Sequence, residues 1–265
     1  MSRQSGDNLY TVGNSPVNAG LAQIQHAMGQ HGPQVIGFDD FLYQDGAPPE
    51  AYPWICLSGT DDEAIPPTPL DTQVVGGILR CTNGDSSGTF AADASALVSD
   101  FPVRVDYGGL YIEARVKPVT DILLRSMWFG VTDTQALEEP FSIATATVTS
   151  NASDAACFVF DVGATLQQWW SLAVDGGTDD TKNAALGAAT APVGDAWQRL
   201  GIWFSSSGDI IKYYVNDVLI NTLEGTGGIS PATDLYITLG QNGSATTAKS
   251  LDVDYIYWRH GRPGV

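Results

Sequence analysis

The chain has 265 residues, with 12 basic and 30 acidic side chains and a formal net charge of -18. This balance opposes contact with phosphate backbones and anionic lipid surfaces, so we expect neither nucleic acid nor a membrane as a partner. The three cysteines, Cys56, Cys81 and Cys157, are an odd number at wide spacings, which argues against a disulfide framework and against a zinc site.

Residues 1–33 differ in composition from the rest of the chain, because they are rich in Gly, Gln, Asn and Ser and lack strand-like alternation. One short helix is predicted from Asn18 to Met28, with Leu21, Ile24 and Met28 on one face. Three apolar residues cannot hold so short a helix in water. We therefore predict an extended N-terminal arm, and three fates stay open for it: a disordered tail, packing on the following domain, or docking on another subunit.

Residues 34–265 are predicted to form one all-β domain, because apolar residues alternate with polar ones in many short runs separated by turn residues. The turn residues Asn216 and Asp217 predict a tight hairpin, and Ala91 to Asp100 is the one other helical candidate. The period of two predicts these inward residues: Ile112, Ala114, Val116, Leu200, Ile202, Phe204, Ile211, Tyr213, Val215, Leu235, Ile237 and Leu239.

Several of these runs resemble known strands. They are W-x-R-L-x-I-x-F from Trp197, Y-x-V-N-D-x-L-I-x-T from Tyr213, L-D-V-D-Y-I-x-W from Leu251, GFDDFLY from Gly37 and GLYIEARVKP from Gly109. Together they resemble the concanavalin A-like jelly-roll domains of laminin G-like modules, legume lectins, laminarinase-type glucanases and many phage particle proteins. The resemblance implies a β-sandwich made of two antiparallel sheets.

Enzymatic chemistry has little support in the sequence. Laminarinase-type enzymes use a strand that carries Glu-x-Asp-x-x-Glu, so that two carboxylates flank the glycosidic bond. None of the six glutamates has an aspartate two positions later: they are residues 50, 63, 113, 138, 139 and 224. The three histidines, His26, His31 and His260, lie in the arm and near the end of the chain, and no phosphate-binding loop is present. We therefore predict no catalytic residue, no cofactor and a protein that is not an enzyme.

Aromatic residues are the main candidates for binding. Trp169 and Trp170 are neighbours on a predicted strand, so one is expected in the core and the other at the surface. Tyr214 and Tyr236 are predicted to point outward. An exposed ring on a sandwich face suits either a glycan or a neighbouring subunit.

Asp252 and Asp254 are the weak candidates for a metal site. They lie two residues apart on the last strand and therefore share a face, so their oxygens could bind a calcium ion. The same Asp-x-Asp pattern also resembles a structural feature of closing strands in this fold, and on balance we predict no metal.

The first functional hypothesis is a phage virion protein that decorates or cements the capsid. The resemblance, the missing catalytic motif and the arm favour it, and the arm residues Leu21, Ile24 and Met28 would bind the major capsid protein or another virion subunit. The sequence begins without the apolar segment of a secretory signal, so we expect synthesis in a host cytoplasm, and assembly as a dimer or trimer. The alternative is a lectin-like module of a phage tail or a cell surface. An unrecognised hydrolase is the third hypothesis.

Overall fold

The computed structural model describes residues 34–41, 53–60, 64–69, 77–84, 90–180, 183–225, 228–243 and 247–261. The predicted arm, including Leu21, Ile24 and Met28, lies outside these ranges. Within them almost all regular structure is β-strand, as the alternation predicts.

Eighteen strands follow one another along the described chain, with one short helix, α1 (Phe90–Asp93), between the fourth and the fifth. The strands are β1 (Gln34–Asp39), β2 (Trp54–Ser58), β3 (Ile65–Pro69), β4 (Leu79–Thr82), β5 (Ser95–Ser99), β6 (Leu110–Pro118), β7 (Arg125–Thr132), β8 (Phe141–Ala144), β9 (Thr147–Ser150), β10 (Ala155–Asp161), β11 (Trp170–Asp175), β12 (Thr178–Asp179), β13 (Ala184–Ala185), β14 (Gln198–Phe204), β15 (Ile210–Val215), β16 (Val218–Glu224), β17 (Tyr236–Gly243) and β18 (Ser250–Gly261). Two 3-10 turns cover Val105–Tyr107 and Ala188–Thr190.

The strands form two large antiparallel sheets. Sheet A has the order β16-β15-β14-β6-β18-β4-β3, and β1 also pairs with β18. Sheet B has the order β12-β11-β10-β7-β17-β5-β2, and β13 also pairs with β11. Strands β8 and β9 form a separate two-stranded ribbon. The prediction of a two-sheet antiparallel sandwich is therefore confirmed.

The main core lies between the two sheets, and it contains every inward residue that the period of two predicts, from Ile112 on β6 to Leu239 on β17. The predicted hairpin is also confirmed, because Asn216 and Asp217 join β15 to β16 with φ angles of 50° and 67°. These positive φ angles suit the turn residues that the sequence places there.

The helical candidate at residues 91–100 was wrong for most of its length. Helix α1 ends at Asp93, and the segment Ser95–Ser99 is strand β5, paired with both β2 and β17. Leu97 faces the main core, whereas Ala96 belongs to an apolar cluster on the opposite face of sheet B. A segment that buries both faces is a central strand, and its pattern resembles a short helix when only the sequence is known.

The outer face of sheet B carries this second apolar cluster. The β8–β9 ribbon covers it, because Phe141 and Ile143 of β8 pack with side chains from β7, β10 and β11. The prediction that one of the two adjacent tryptophans is exposed is consequently wrong. Trp169 faces the main core with 1% of its surface exposed, and Trp170 faces the second cluster with 7% exposed.

Cys81 and Cys157 are buried on core strands, and Cys56 is partly buried on β2. In the part of the chain that the structure describes, no helix has the length and apolar character needed to cross a bilayer.

Candidate functional site

The outer face of sheet A carries polar and aromatic side chains, because strand residues alternate and the inward positions of these strands fill the core. Strand register places Tyr214, Gly201, Glu113, Tyr257 and Phe38 side by side on β15, β14, β6, β18 and β1. Glu113 lies in the middle of this row. We define the Glu113 face by these outward residues: Tyr111, Glu113, Arg115, Arg199, Trp203, Lys212, Tyr214, Tyr255, Tyr257 and Arg259.

Two tyrosines hold the Glu113 carboxyl group. The Tyr111 hydroxyl donates to Glu113 Oε2 and the Tyr255 hydroxyl donates to Glu113 Oε1, each over 2.6 Å. Burial, reinforced by the charge of Glu113, raises the pKa of Tyr111 and of Tyr255 above the ordinary value. Both hydroxyls therefore keep their protons, so that Glu113 is a preorganised acceptor on a partly exposed surface.

Gly201 makes room for one of these tyrosines. A Cβ atom at this position would lie 2.8 Å from the Tyr111 hydroxyl oxygen and 3.4 Å from two atoms of its ring. The Tyr111 side chain therefore leans from β6 across the neighbouring strand β14. Glycine at position 201 is what permits this orientation.

A second row of the Glu113 face consists of Lys212, Trp203, Tyr111 and Arg259, which are cross-strand neighbours on β15, β14, β6 and β18. The Lys212 ammonium group lies 5.1 Å from the centre of a Trp203 ring. Trp203 and Tyr111 are partly exposed, so this row presents two aromatic rings between two cations.

A small recess of about 30 Å³ lies at the end of the second row. Tyr111, Trp203, Arg259 and His260 line it together with several glycines, including Gly108. His260 Nδ1 lies 2.7 Å from the carbonyl oxygen of Gly261, so this nitrogen carries a proton and donates it. Burial lowers the pKa of His260, so the ring is neutral at pH 7 and Nε2 is an acceptor.

The metal candidates Asp252 and Asp254 lie on the same face of β18, where cationic side chains neutralise both. Asp252 is 1% exposed and is paired with Arg80 at 2.6 Å and with Lys117 at 3.1 Å. Asp254 is paired with Arg115 at 2.5 Å. Three protein cations hold the oxygens of these two aspartates. The ion pairs therefore join β4 and β6 to β18.

The predicted aromatic candidates do not come together. Tyr214 is partly exposed on the Glu113 face, whereas Tyr236 is partly exposed on β17 at the outer face of sheet B. Trp169 is anchored in the core by a 3.0 Å hydrogen bond from its Nε1 to Gln198 Oε1. Trp170 donates from Nε1 to the carbonyl oxygen of Leu166 over 3.3 Å. The two buried tryptophans therefore cannot serve as exposed stacking platforms.

Sequence reasoning missed most of the Glu113 face. The alternation in GLYIEARVKP already indicated that Tyr111 and Glu113 point to the same side. It carried no sign that Tyr255, from a strand about 140 residues later, bonds to the same carboxyl group. Long-range strand pairing decides which outward residues become neighbours.

A pair of acids lies on the other side of the sandwich. Burial raises the pKa of Glu139 to about 8, and the charge of Asp161 adds to this effect. Glu139 Oε1 is buried without a hydrogen-bond partner among the described atoms. Asp161, at the end of β10, accepts hydrogen bonds from the backbone N–H of Ile143 at 2.8 Å and of Gly163 at 2.7 Å.

Solved structures of similar fold include two glucanases and a carbohydrate recognition domain. A β-glucanase from Bacillus licheniformis aligns with a TM-score of 0.54 and 16% identity, over 86% of this chain and 99% of the other. An endo-1,3-β-glucanase from Streptomyces sioyaensis aligns with a TM-score of 0.60 and 13% identity, over 88% of this chain and 98% of the other. The potassium-bound carbohydrate recognition domain of Emp46p aligns with a TM-score of 0.54 and 11% identity, over 86% of this chain and 96% of the other.

These likenesses establish the concanavalin A-like jelly-roll fold that the sequence motifs predicted. No family model matches the chain, and no curated protein matches it by sequence.

The comparison with solved structures also corrects one prediction. The exclusion of an enzyme rested on the missing Glu-x-Asp-x-x-Glu motif, and it was wrong, because solved structures that share this fold are glucanases. The missing motif excludes one arrangement of carboxylates, and hydrolysis has to be tested.

Proposed function

We propose that this protein binds carbohydrate on the Glu113 face. The observation that carries the proposal is the Glu113 carboxyl group, which two tyrosine hydroxyls orient beside the rings of Tyr111 and Trp203 on one partly exposed sheet. Aromatic rings stack on the apolar faces of sugar rings, and a few fixed polar groups set their orientation. The Glu113 face offers both kinds of contact.

The location on a sheet face, rather than in a deep cavity, suits an extended ligand such as an oligosaccharide. The fold supports the proposal further, since one solved structure of similar fold is named as a carbohydrate recognition domain and two as glucanases. The outer face of sheet B is a poorer candidate, because the β8–β9 ribbon and the apolar cluster with Trp170 fill it.

The test is a glycan screen with the purified full-length chain, followed by titration calorimetry on the best ligand. Trp203→Ala and Glu113→Gln are each expected to weaken binding at least tenfold, which corresponds to about 1.4 kcal/mol. Tyr236→Ala is the matched control, because Tyr236 is a partly exposed aromatic residue on the opposite sheet. Equal affinities for all four proteins would remove the Glu113 face from consideration.

A second candidate function is glycoside hydrolysis by Glu139 and Asp161. Glycosidases use two carboxyl groups, and here burial, with a smaller contribution from Asp161, raises the pKa of Glu139 to about 8. A reducing-sugar assay on the ligands found in the screen would test it. Turnover that Glu139→Gln and Asp161→Asn abolish would support the hydrolase, and an unchanged rate in both variants would contradict it.

The capsid-decoration hypothesis remains a prediction, as does the arm contact through Leu21, Ile24 and Met28. Sedimentation of particles from the native source would test it. Recovery of the chain in a fixed ratio to a shell protein would favour a virion component, whereas a small free oligomer would contradict the hypothesis.

A further inference from the structure

The basic residues of this acidic protein are concentrated on sheet A. Of the nine basic residues that the structure describes, six lie on the outer face of this sheet, although the whole chain has a net charge of -18. They are Arg80, Arg115, Lys117, Arg199, Lys212 and Arg259. A neutral ligand would not require such a concentration of positive charge.

Four of these six cations already have carboxylate partners at one end of the face. Arg80 and Lys117 share Asp252, while Arg115 pairs with Asp254. Arg199 pairs with Asp217 in the turn between β15 and β16. These four therefore serve mainly to join strands.

Lys212 and Arg259 are different. No carboxylate oxygen of the described residues lies within 4.0 Å of either cation. Both belong to the second row, in which they flank Trp203 and Tyr111 across three strand spacings, a span of roughly 14 Å. The row thus combines aromatic rings with two cations that have no carboxylate partner among the described residues.

The recess beside Arg259 is small, and its volume limits the size of a ligand group that can bind there. Its volume of about 30 Å³ has room for about two water-sized groups, which fits a carboxylate. A guanidinium group binds a carboxylate through two parallel hydrogen bonds. His260 also lines this recess, and since burial lowers the pKa of its ring, the positive charge there comes from Arg259.

From this juxtaposition we infer that the ligand of the Glu113 face is an acidic oligosaccharide, with a sugar carboxylate at Arg259, sugar rings on Tyr111 and Trp203, and a second acidic group near Lys212. This inference rests on the proposed carbohydrate binding and names its ligand class. It involves no chemical step.

The experiment compares acidic oligosaccharides with their methyl esters, which keep the same backbone and lose the charge. Oligogalacturonates and oligomannuronates and their esters would be titrated into the full-length chain. We expect each binding acid to bind at least tenfold more tightly than its ester. Arg259→Gln and Lys212→Gln should each reduce this preference for the acid over the ester, because each removes one of the two cations.

Arg199→Gln is the matched control, since Arg199 lies on the same face but is already paired with Asp217. It should keep the preference for the acid, and thermal melting would verify that all three variants fold. Equal affinity for acid and ester, or binding of neutral glycans alone, would overturn the inference and leave carbohydrate binding in place. Absence of binding to every acidic and neutral glycan would overturn both.

Discussion

Tyr255 and Glu113, 142 residues apart in the chain, are joined by a 2.6 Å hydrogen bond from the tyrosine hydroxyl to Glu113 Oε1. This bond and the equal bond from Tyr111 leave each carboxyl oxygen with one tyrosine donor. Bonds to a charged acceptor are stronger than neutral ones, so the network fixes the centre of the Glu113 face.

Removing the Tyr255 hydroxyl should reduce stability. Tyr255→Phe takes one donor from a partly buried carboxylate, and we expect the free energy of unfolding to fall by about 1 to 3 kcal/mol. Urea denaturation would measure the loss. In the background of Glu113→Gln the same substitution should cost less, because the acceptor charge is gone. Equal losses in the two backgrounds would contradict the coupling.

Gly201→Ala should displace Tyr111, because the added methyl group would lie 2.8 Å from the hydroxyl oxygen. We expect a loss of glycan affinity of at least tenfold, and a fall of about 1 to 3 kcal/mol in the free energy of unfolding because the bond from Tyr111 to Glu113 is disturbed. Combining Gly201→Ala with Tyr111→Phe removes the clashing oxygen and should give the same affinity as Tyr111→Phe alone. If Gly201→Ala weakened binding further in that background, the hydroxyl clash would not be the cause.

Trp170 and Trp203 should separate stability from binding. Trp170 is 7% exposed within the second apolar cluster, so Trp170→Ala should cost about 3 to 5 kcal/mol of unfolding free energy. Glycan affinity of the folded fraction should not change. Trp203→Ala should show the opposite pattern, with weak binding and a smaller stability loss. Urea denaturation would measure the stability of both variants, and calorimetry their glycan affinity. A loss of affinity in Trp170→Ala would contradict the prediction.

Glu139 should make stability depend on pH. Its pKa is about 8 in the folded chain and 4.5 ordinarily, so its contribution to stability is complete below pH 4.5 and decreases as the pH rises to 8. The decrease is at most about 1.4 kcal/mol per pH unit. Glu139→Gln stays neutral, and its stability relative to the wild type should rise across this interval.

Urea denaturation at half-unit steps from pH 4.5 to 9 would measure the Glu139 effect. Glu224→Gln is the control, because Glu224 is exposed at the end of β16 and its substitution should shift the whole curve without changing its shape. Parallel curves for Glu139→Gln and the wild type would contradict the raised pKa.

The sequence by itself determined the strands and the core. A period of two needs no partner strand to be recognised, so Ile112, Leu200 and Ile237 could be assigned inward, and Asn216 with Asp217 could be assigned to a hairpin. The family motifs predicted the arrangement of the sandwich. The absence of the Glu-x-Asp-x-x-Glu motif could also be read from the sequence alone. That absence did not justify the exclusion of an enzyme.

Only the tertiary structure decided what each outward face meets. Trp170 alternates correctly with Trp169, yet the β8–β9 ribbon buries it, and no local pattern encodes that cover. Glu113 was assigned outward, but its partner Tyr255 comes from β18, whose position beside β6 is a long-range pairing. Alternation specifies the side of a sheet to which a residue points, whereas the order of strands specifies its neighbours, and function depends on the neighbours.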